Sequence, residues 1–147
     1  MGSRISAGLR RLVESRAGFV CEYCLIHAND AYVGCQVDHV ISEKHGGPTV
    51  SANLALACSF CNRHKGSDVG SIDKATGKFV RLFNPRSDEW GDHFQLVGVR
   101  IAWKTAKGEA TVRLLKVNHP LRIEERRILK RQGKYPSADA MKRINPT

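Results

Sequence analysis

The sequence predicts an α+β fold, and three observations carry that prediction. Apolar residues recur at helical spacing near the start, at Ile5, Leu9, Leu12 and Val13, and again in the charged segment 121–131. Residues 31–40 and 94–103 alternate as strands do. Two C-x-x-C pairs, Cys21-Glu22-Tyr23-Cys24 and Cys58-Ser59-Phe60-Cys61, stand 33 residues apart and draw the middle of the chain together.

The elements follow in order. A helix over 5–17 is stopped by Gly18 and leads into the first cysteine pair. Residues 31–40 form one strand or two short ones, and Gly46-Gly47-Pro48 forces a loop. Ser51 is placed to cap a helix over 52–57 that runs into the second pair, and residues 62–66 begin another helix. Further on, 78–83 reads as a strand ended by Asn84-Pro85, and 94–103 as two strands turning near Gly98. Residues 109–117 have helical spacing, with a short strand as the other reading. Residues 121–131 form an amphipathic helix starting after Pro120. Residues 133–147 carry two prolines and little periodicity, so a loosely held end is expected.

A length of 147 residues suits one compact domain with a small extension. Apolar stretches such as 54–57 are far shorter than the ~18–20 residues that cross a bilayer. Arginines at 4, 10, 11 and 16 interrupt any apolar leader, so neither a signal peptide nor a membrane span is expected, and the cytoplasm is the expected location. The charge is uneven. Residues 1–70 hold 7 basic and 6 acidic side chains, residues 71–147 hold 17 and 8, so nearly all of the net +10 lies in the second half. Such a half suits a polyanionic partner, nucleic acid being the commonest, although Glu124 and Glu125 pair with part of the charge on their helix.

Two residues between thiolates let both sulfurs turn to one ion, and two such pairs complete a tetrahedral zinc shell. Cys21, Cys24, Cys58 and Cys61 are therefore the expected ligands of a structural zinc. Disulfides would need an oxidising compartment, and a redox C-x-x-C would not need a second copy. Cys35 is left over as a buried, inert thiol. Between the pairs lie Asp38-His39, Gly46-Gly47 and Asn53-Leu54, and Asn62-Arg63-His64-Lys65-Gly66 follows the last cysteine. At a strand end a carboxylate and an adjacent histidine can serve one phosphate as metal ligand and base.

The run CEYC…DHV…HGG…NL…CSFCNRHKG resembles the HNH endonuclease family, over about residues 18–68. The later RLFNPR segment, followed by Trp90 and His93-Phe94, is similar to the extension of small stand-alone bacterial or phage members. The resemblance implies a ββα-metal (HNH) core with a four-cysteine structural zinc, flanked by an N-terminal helix and a basic C-terminal β/α extension. It implies a core over 1–70 and a DNA-gripping extension over 71–147.

By the same resemblance His39 is the general base, Asp38 a ligand of a catalytic divalent ion, and Asn53 the asparagine that ties the loop and helps orient the base. Asn62 stands where many members have a last histidine, giving an H-N-N pattern, with His64 as the alternative ligand. Oxygen ligands suit Mg²⁺ or Mn²⁺. Arg63, Lys65 and His45 are expected at backbone phosphates. The implied activity is nicking or cleavage of double-stranded DNA with 5′-phosphate and 3′-hydroxyl ends, by a monomer or homodimer. A non-catalytic zinc-dependent nucleic-acid-binding module is the alternative. His27, His93 and His119 lack ligand spacing, and core packing is the expected role of Trp90 and Trp103.

Overall fold

The computed structural model describes residues 4–146. Among them, short helices surround three separate two-stranded antiparallel sheets, as expected for an α+β fold. Helix α1 (Ala7–Arg16) starts where Ser6 accepts a hydrogen bond from the Leu9 amide and lays Val13 into the interior. The first cysteine pair follows, its turn closed by the Cys21 amide donating to the Ile26 carbonyl. Strands β1 (Cys35–His39) and β2 (Leu54–Cys58) pair in the register Cys35↔Cys58 to His39↔Leu54. Helix α2 (Ser59–Lys65) leaves β2 directly, so strand, strand and helix form one ββα unit.

Residues 52–57, expected as a helix, are not one. Ser51–Asn53 is a single 3₁₀ turn and β2 follows, every residue of it buried. A short, wholly apolar run satisfies a buried strand as well as a buried helix turn. Pairing with β1 decides the matter here, and an extended run also brings Cys58 round to the first cysteine pair.

The second half packs onto this unit. Strands β3 (Gly70–Ile72) and β4 (Phe79–Arg81) form a small hairpin, and α3 (Trp90–His93) leads into the hairpin of β5 (Phe94–Val97) and β6 (Arg100–Trp103). Helices α4 (Ala106–Leu115) and α5 (Pro120–Arg131) close over the cysteine-containing core. Trp90 is buried there, whereas Trp103 is half-exposed, contrary to the packing expected of it.

The end of the chain is better held than its sequence suggests. Helix α6 (Ala138–Ile144) is capped by Ser137, Ala140 is buried, and the Tyr135 hydroxyl donates to the Cys24 carbonyl at 2.8 Å. Single anchors separated by polar residues leave no periodic trace. No helix among the described residues is long and apolar enough to cross a membrane.

Candidate nuclease site and metal centre

The four cysteines of the two pairs converge. Their sulfurs all lie within 4.8 Å of one another in the buried core, and Cys24 Sγ is 3.7 Å from Cys58 Sγ. Sulfurs 2.3 Å from a tetrahedral zinc would be about 3.8 Å apart, so the donor set and its size fit that ion. Each pair is turned by its own backbone, the Cys24 amide donating to Cys21 Sγ and the Cys61 amide to Cys58 Sγ.

Burial and the neighbouring thiols hold Cys21 well above its ordinary pKa, and hydrogen bonds from its neighbours followed by burial do the same to Cys61. Cys24 is held low. Burial opposes its ionisation, but hydrogen bonds from the other three thiols and the charge of Arg122 outweigh that cost. A cation among these buried sulfurs would favour their becoming thiolates together. Cys35 stands outside the cluster, half-buried, its thiol pushed up chiefly by burial.

Arg122 was not singled out by its sequence context. It is buried on α5 and donates from Nη2 to Cys24 Sγ at 3.0 Å and Cys58 Sγ at 3.2 Å. Its guanidinium also lies 4.6 Å from the centre of the Phe60 ring.

Beside the metal centre the end of β1 meets the middle of α2. Asp38 is partly buried and Lys65 reaches it from the last turn of α2, Nζ lying 3.5 Å from Oδ2 and 3.1 Å from the His39 carbonyl. Burial raises the Asp38 carboxyl above its ordinary pKa, with Lys65 and the His39 amide opposing it. Lys65, expected at a phosphate, is thus 2% exposed and turned inward. The aliphatic stem packs inside while the ammonium finds two oxygens.

Asn62 lies against the same carboxylate. With its amide nitrogen toward Asp38 it donates to Oδ2 at 3.0 Å and Oδ1 at 3.2 Å, and its oxygen accepts from Gln36 Nε2. Asp38 and Asn62 thus bring two carboxylate oxygens and an amide oxygen, all hard donors, close together. The donor chemistry therefore fits a hard divalent ion. His64, the alternative ligand, has Nδ1 2.9 Å from the Phe60 carbonyl and its ring 4.1 Å from the Phe60 ring, an arrangement that leaves Nε2 unused by that contact.

His39 ends β1 with its side chain 14% exposed. Its Nε2 lies 2.8 Å from Thr49 Oγ1 and 3.7 Å from Glu43 Oε1, two contacts set by the loop rather than by any spacing in the sequence. That loop is fixed by Asn53. The Asn53 Oδ1 accepts from the Ile41 amide, and Nδ2 donates to the Ile41 and Pro48 carbonyls, each at 2.9 Å. Gly47 is needed at this spot, since a Cβ there would lie 1.8 Å from the Ile41 oxygen and 2.9 Å from Asn53 Nδ2. Asn53 thus touches the loop and not the imidazole. Arg63 and His45 are both exposed, Arg63 over the Phe60 ring.

Asn62 therefore touches Asp38, His39 follows Asp38 at the end of β1, Asn53 and Gly47 shape the loop that carries Thr49, and the cysteine cluster anchors the helix that carries Asn62. Residues 21–68, a third of the chain, match the family model of the HNH endonucleases. No curated protein and no solved structure matches the chain. Nuclease activity on nucleic acid is what such a domain suggests.

Proposed function

We propose that the protein is a metal-dependent endonuclease that nicks or cleaves double-stranded DNA and leaves 5′-phosphate and 3′-hydroxyl ends. The observation that carries this reading is the Asp38 carboxylate lying against the Asn62 amide, with His39 next to Asp38 at the end of the same strand and its ring held by Thr49 and Glu43, in the unit that also carries the buried four-cysteine cluster. Asp38 and Asn62 are the residues that would hold Mg²⁺ or Mn²⁺, and Cys21, Cys24, Cys58 and Cys61 those that would hold zinc. A divalent ion at Asp38 and Asn62 supplies charge to offset that growing on the phosphate and its leaving oxygen.

His39 does the proton chemistry. When Nε2–H donates to Thr49, the other ring nitrogen, Nδ1, is left to accept a proton from the attacking water. Thr49 and Glu43 orient the ring, and Asn53 and Gly47 keep their loop in register with it. The Lys65 ammonium offsets part of the cost of burying the Asp38 carboxylate. Arg63 and His45 contact backbone phosphates, and residues 71–147 form the extension that grips the duplex with most of the chain's charge. The enzyme acts in the cytoplasm as a monomer or homodimer.

Cleavage of supercoiled plasmid by wild type and His39→Ala, with and without added Mg²⁺ or Mn²⁺, tests this. Wild type should give nicked or linear product only with the ion, and the variant should be slower by about 10²–10⁴-fold while still binding DNA. Equal rates overturn the assignment of the base. Binding by wild type without any cleavage favours the non-catalytic zinc-dependent module.

A further inference from the structure

The RLFNPR stretch and the tryptophan that follows it have no task in the reaction proposed above. In the structure Arg86 and Trp90 of this stretch wall a cavity of about 310 Å³ together with Arg16 at the end of α1 and Arg143 of α6. Three guanidinium groups from distant parts of the chain thus meet at one opening.

The negative charge behind them is small. Glu22, the first spacer of the first cysteine pair, is fully buried, and its Oε1 is shared by Arg86 and Arg143 while Oε2 accepts from the Leu56 amide at 2.8 Å. One carboxylate does not neutralise two guanidinium groups. Arg16 adds a third, with Nη2 donating to the Ser51 and Leu54 carbonyls at 2.6 Å each. Asp88 also borders the cavity, but Lys107 holds both its oxygens at 3.0 and 3.1 Å, which leaves exposed Glu89 as the one carboxylate on the rim without an ion pair among the described residues.

Arg86 Nε is buried with no hydrogen-bond partner among the described residues. A buried N–H left unmade is costly, and a guanidinium with spare donors suits a tetrahedral oxyanion. Burial, and then the charges of Arg16 and Arg143, hold the Arg86 guanidinium below its ordinary pKa against the pull of Glu22. The cluster is short of negative charge.

We infer that this cavity is a second anion site, which takes a phosphate of the nucleic-acid strand other than the one cleaved. The inference rests on the nuclease reading for its ligand, and on the arginine cluster for its existence. Arg16 bonds the Leu54 carbonyl, and Leu54 pairs with His39 across the β1–β2 hairpin, so the cavity lies on the row of the hairpin that ends at the proposed base. A strand seated at His39 has its neighbouring phosphates on this side. Arg–phosphate forks there would fix the position of the strand without reading its sequence.

Two measurements on the full-length, zinc-loaded chain test the site. The first is duplex binding across a salt series in a His39→Ala background, with and without Arg143→Gln or Arg86→Gln. Each added substitution should weaken binding on the order of tenfold at low salt and reduce the salt slope by about 1. Unchanged affinity and slope in variants that keep the wild-type thermal midpoint overturn the inference and leave the nuclease reading standing.

The second measurement needs no DNA. Inorganic phosphate titrated into Trp103→Phe protein should change the emission of Trp90, the tryptophan that lines the cavity, and the response should vanish in Arg143→Gln. A response without duplex binding keeps the anion site and overturns the nuclease reading. No response from folded Trp103→Phe protein overturns the site itself.

Discussion

Arg122 Nη2 lies 3.0 Å from Cys24 Sγ, which ties helix α5 in the second half of the chain to the cysteine cluster of the first. Four thiolates around one divalent ion carry two surplus negative charges, and a buried guanidinium offsets part of that surplus. Burial alone would lower the Arg122 pKa, but Cys24 and then Cys58 raise it well above normal. Outer partners of this kind commonly change metal affinity by about 10–100-fold. Arg122→Met is expected to transfer zinc to a competing chelator at least several-fold faster and to lower the urea midpoint. A chromogenic chelator assay beside an unfolding curve measures both, and unchanged release would show that the arginine only packs.

The cluster is also expected to be needed for folding. Chelation should then remove helix signal in the far ultraviolet along with activity, because the sulfurs join β2, α2 and the first turn in one core. Zinc re-addition to the reduced protein should restore both. Retained secondary structure after complete metal removal would assign the fold to the apolar core alone.

Asn53 is 8% exposed and uses its amide on three backbone groups of the loop that carries Thr49. Asn53→Ala should cost about 2–4 kcal/mol of stability, since buried loop groups lose their partners. Gly47→Ala should disturb the same loop by a steric route, its Cβ meeting the Ile41 carbonyl. Both variants should lose cleavage through misplacement of His39 while keeping their zinc. Zinc content, thermal melting and plasmid nicking on the same samples separate this from general unfolding.

How much of this was legible in the sequence depended on the reach of each signal. The cysteine pairs stand at spacings that local backbone geometry converts into proximity, so their cluster could be read early, whereas Asp38, His39, Asn53 and Asn62 were reached through the family resemblance. Thr49, Glu43 and Gln36 could not be read, because their contacts depend on how one loop folds back. Glu22 read as a mere spacer inside C-E-Y-C, yet it is fully buried between Arg86 and Arg143, far along the chain. The mistaken helix over 52–57 has the same root. Ser51 and the alanine–leucine run satisfied a local rule, and β1 supplied the partner that outweighed it. The α6 segment was missed because its anchors, Tyr135, Ala140 and Arg143, act singly.

Lys65 and Asp38 form a partly buried pair whose loss should be felt on both sides. Lys65→Met leaves the Asp38 carboxylate in a site that already disfavours its charge, so a cost of about 1–3 kcal/mol is expected at neutral pH. Asp38→Asn in the same protein should recover part of it. A double-mutant cycle in urea measures the coupling, and additive losses would mean that the 3.5 Å contact contributes nothing.

Asp88 provides a pH prediction away from the metal ligands. Burial opposes its ionisation, but the Asn84 amide, donating to Oδ2 at 2.9 Å, and the Lys107 ammonium outweigh that cost and hold its pKa below the ordinary carboxylate value. The unfolded chain then binds the proton more readily than the folded one. Stability from Asp88 is therefore present in full above its unfolded pKa and is lost as pH falls through the folded value. Asp88→Asn should be less stable than wild type by about 1–2 kcal/mol at pH 7, with the gap closing on acidification below about pH 4. Thermal midpoints of the two proteins from pH 7 down to the acid limit of folding measure this, and a gap independent of pH would assign the effect to the cap geometry instead of the charge.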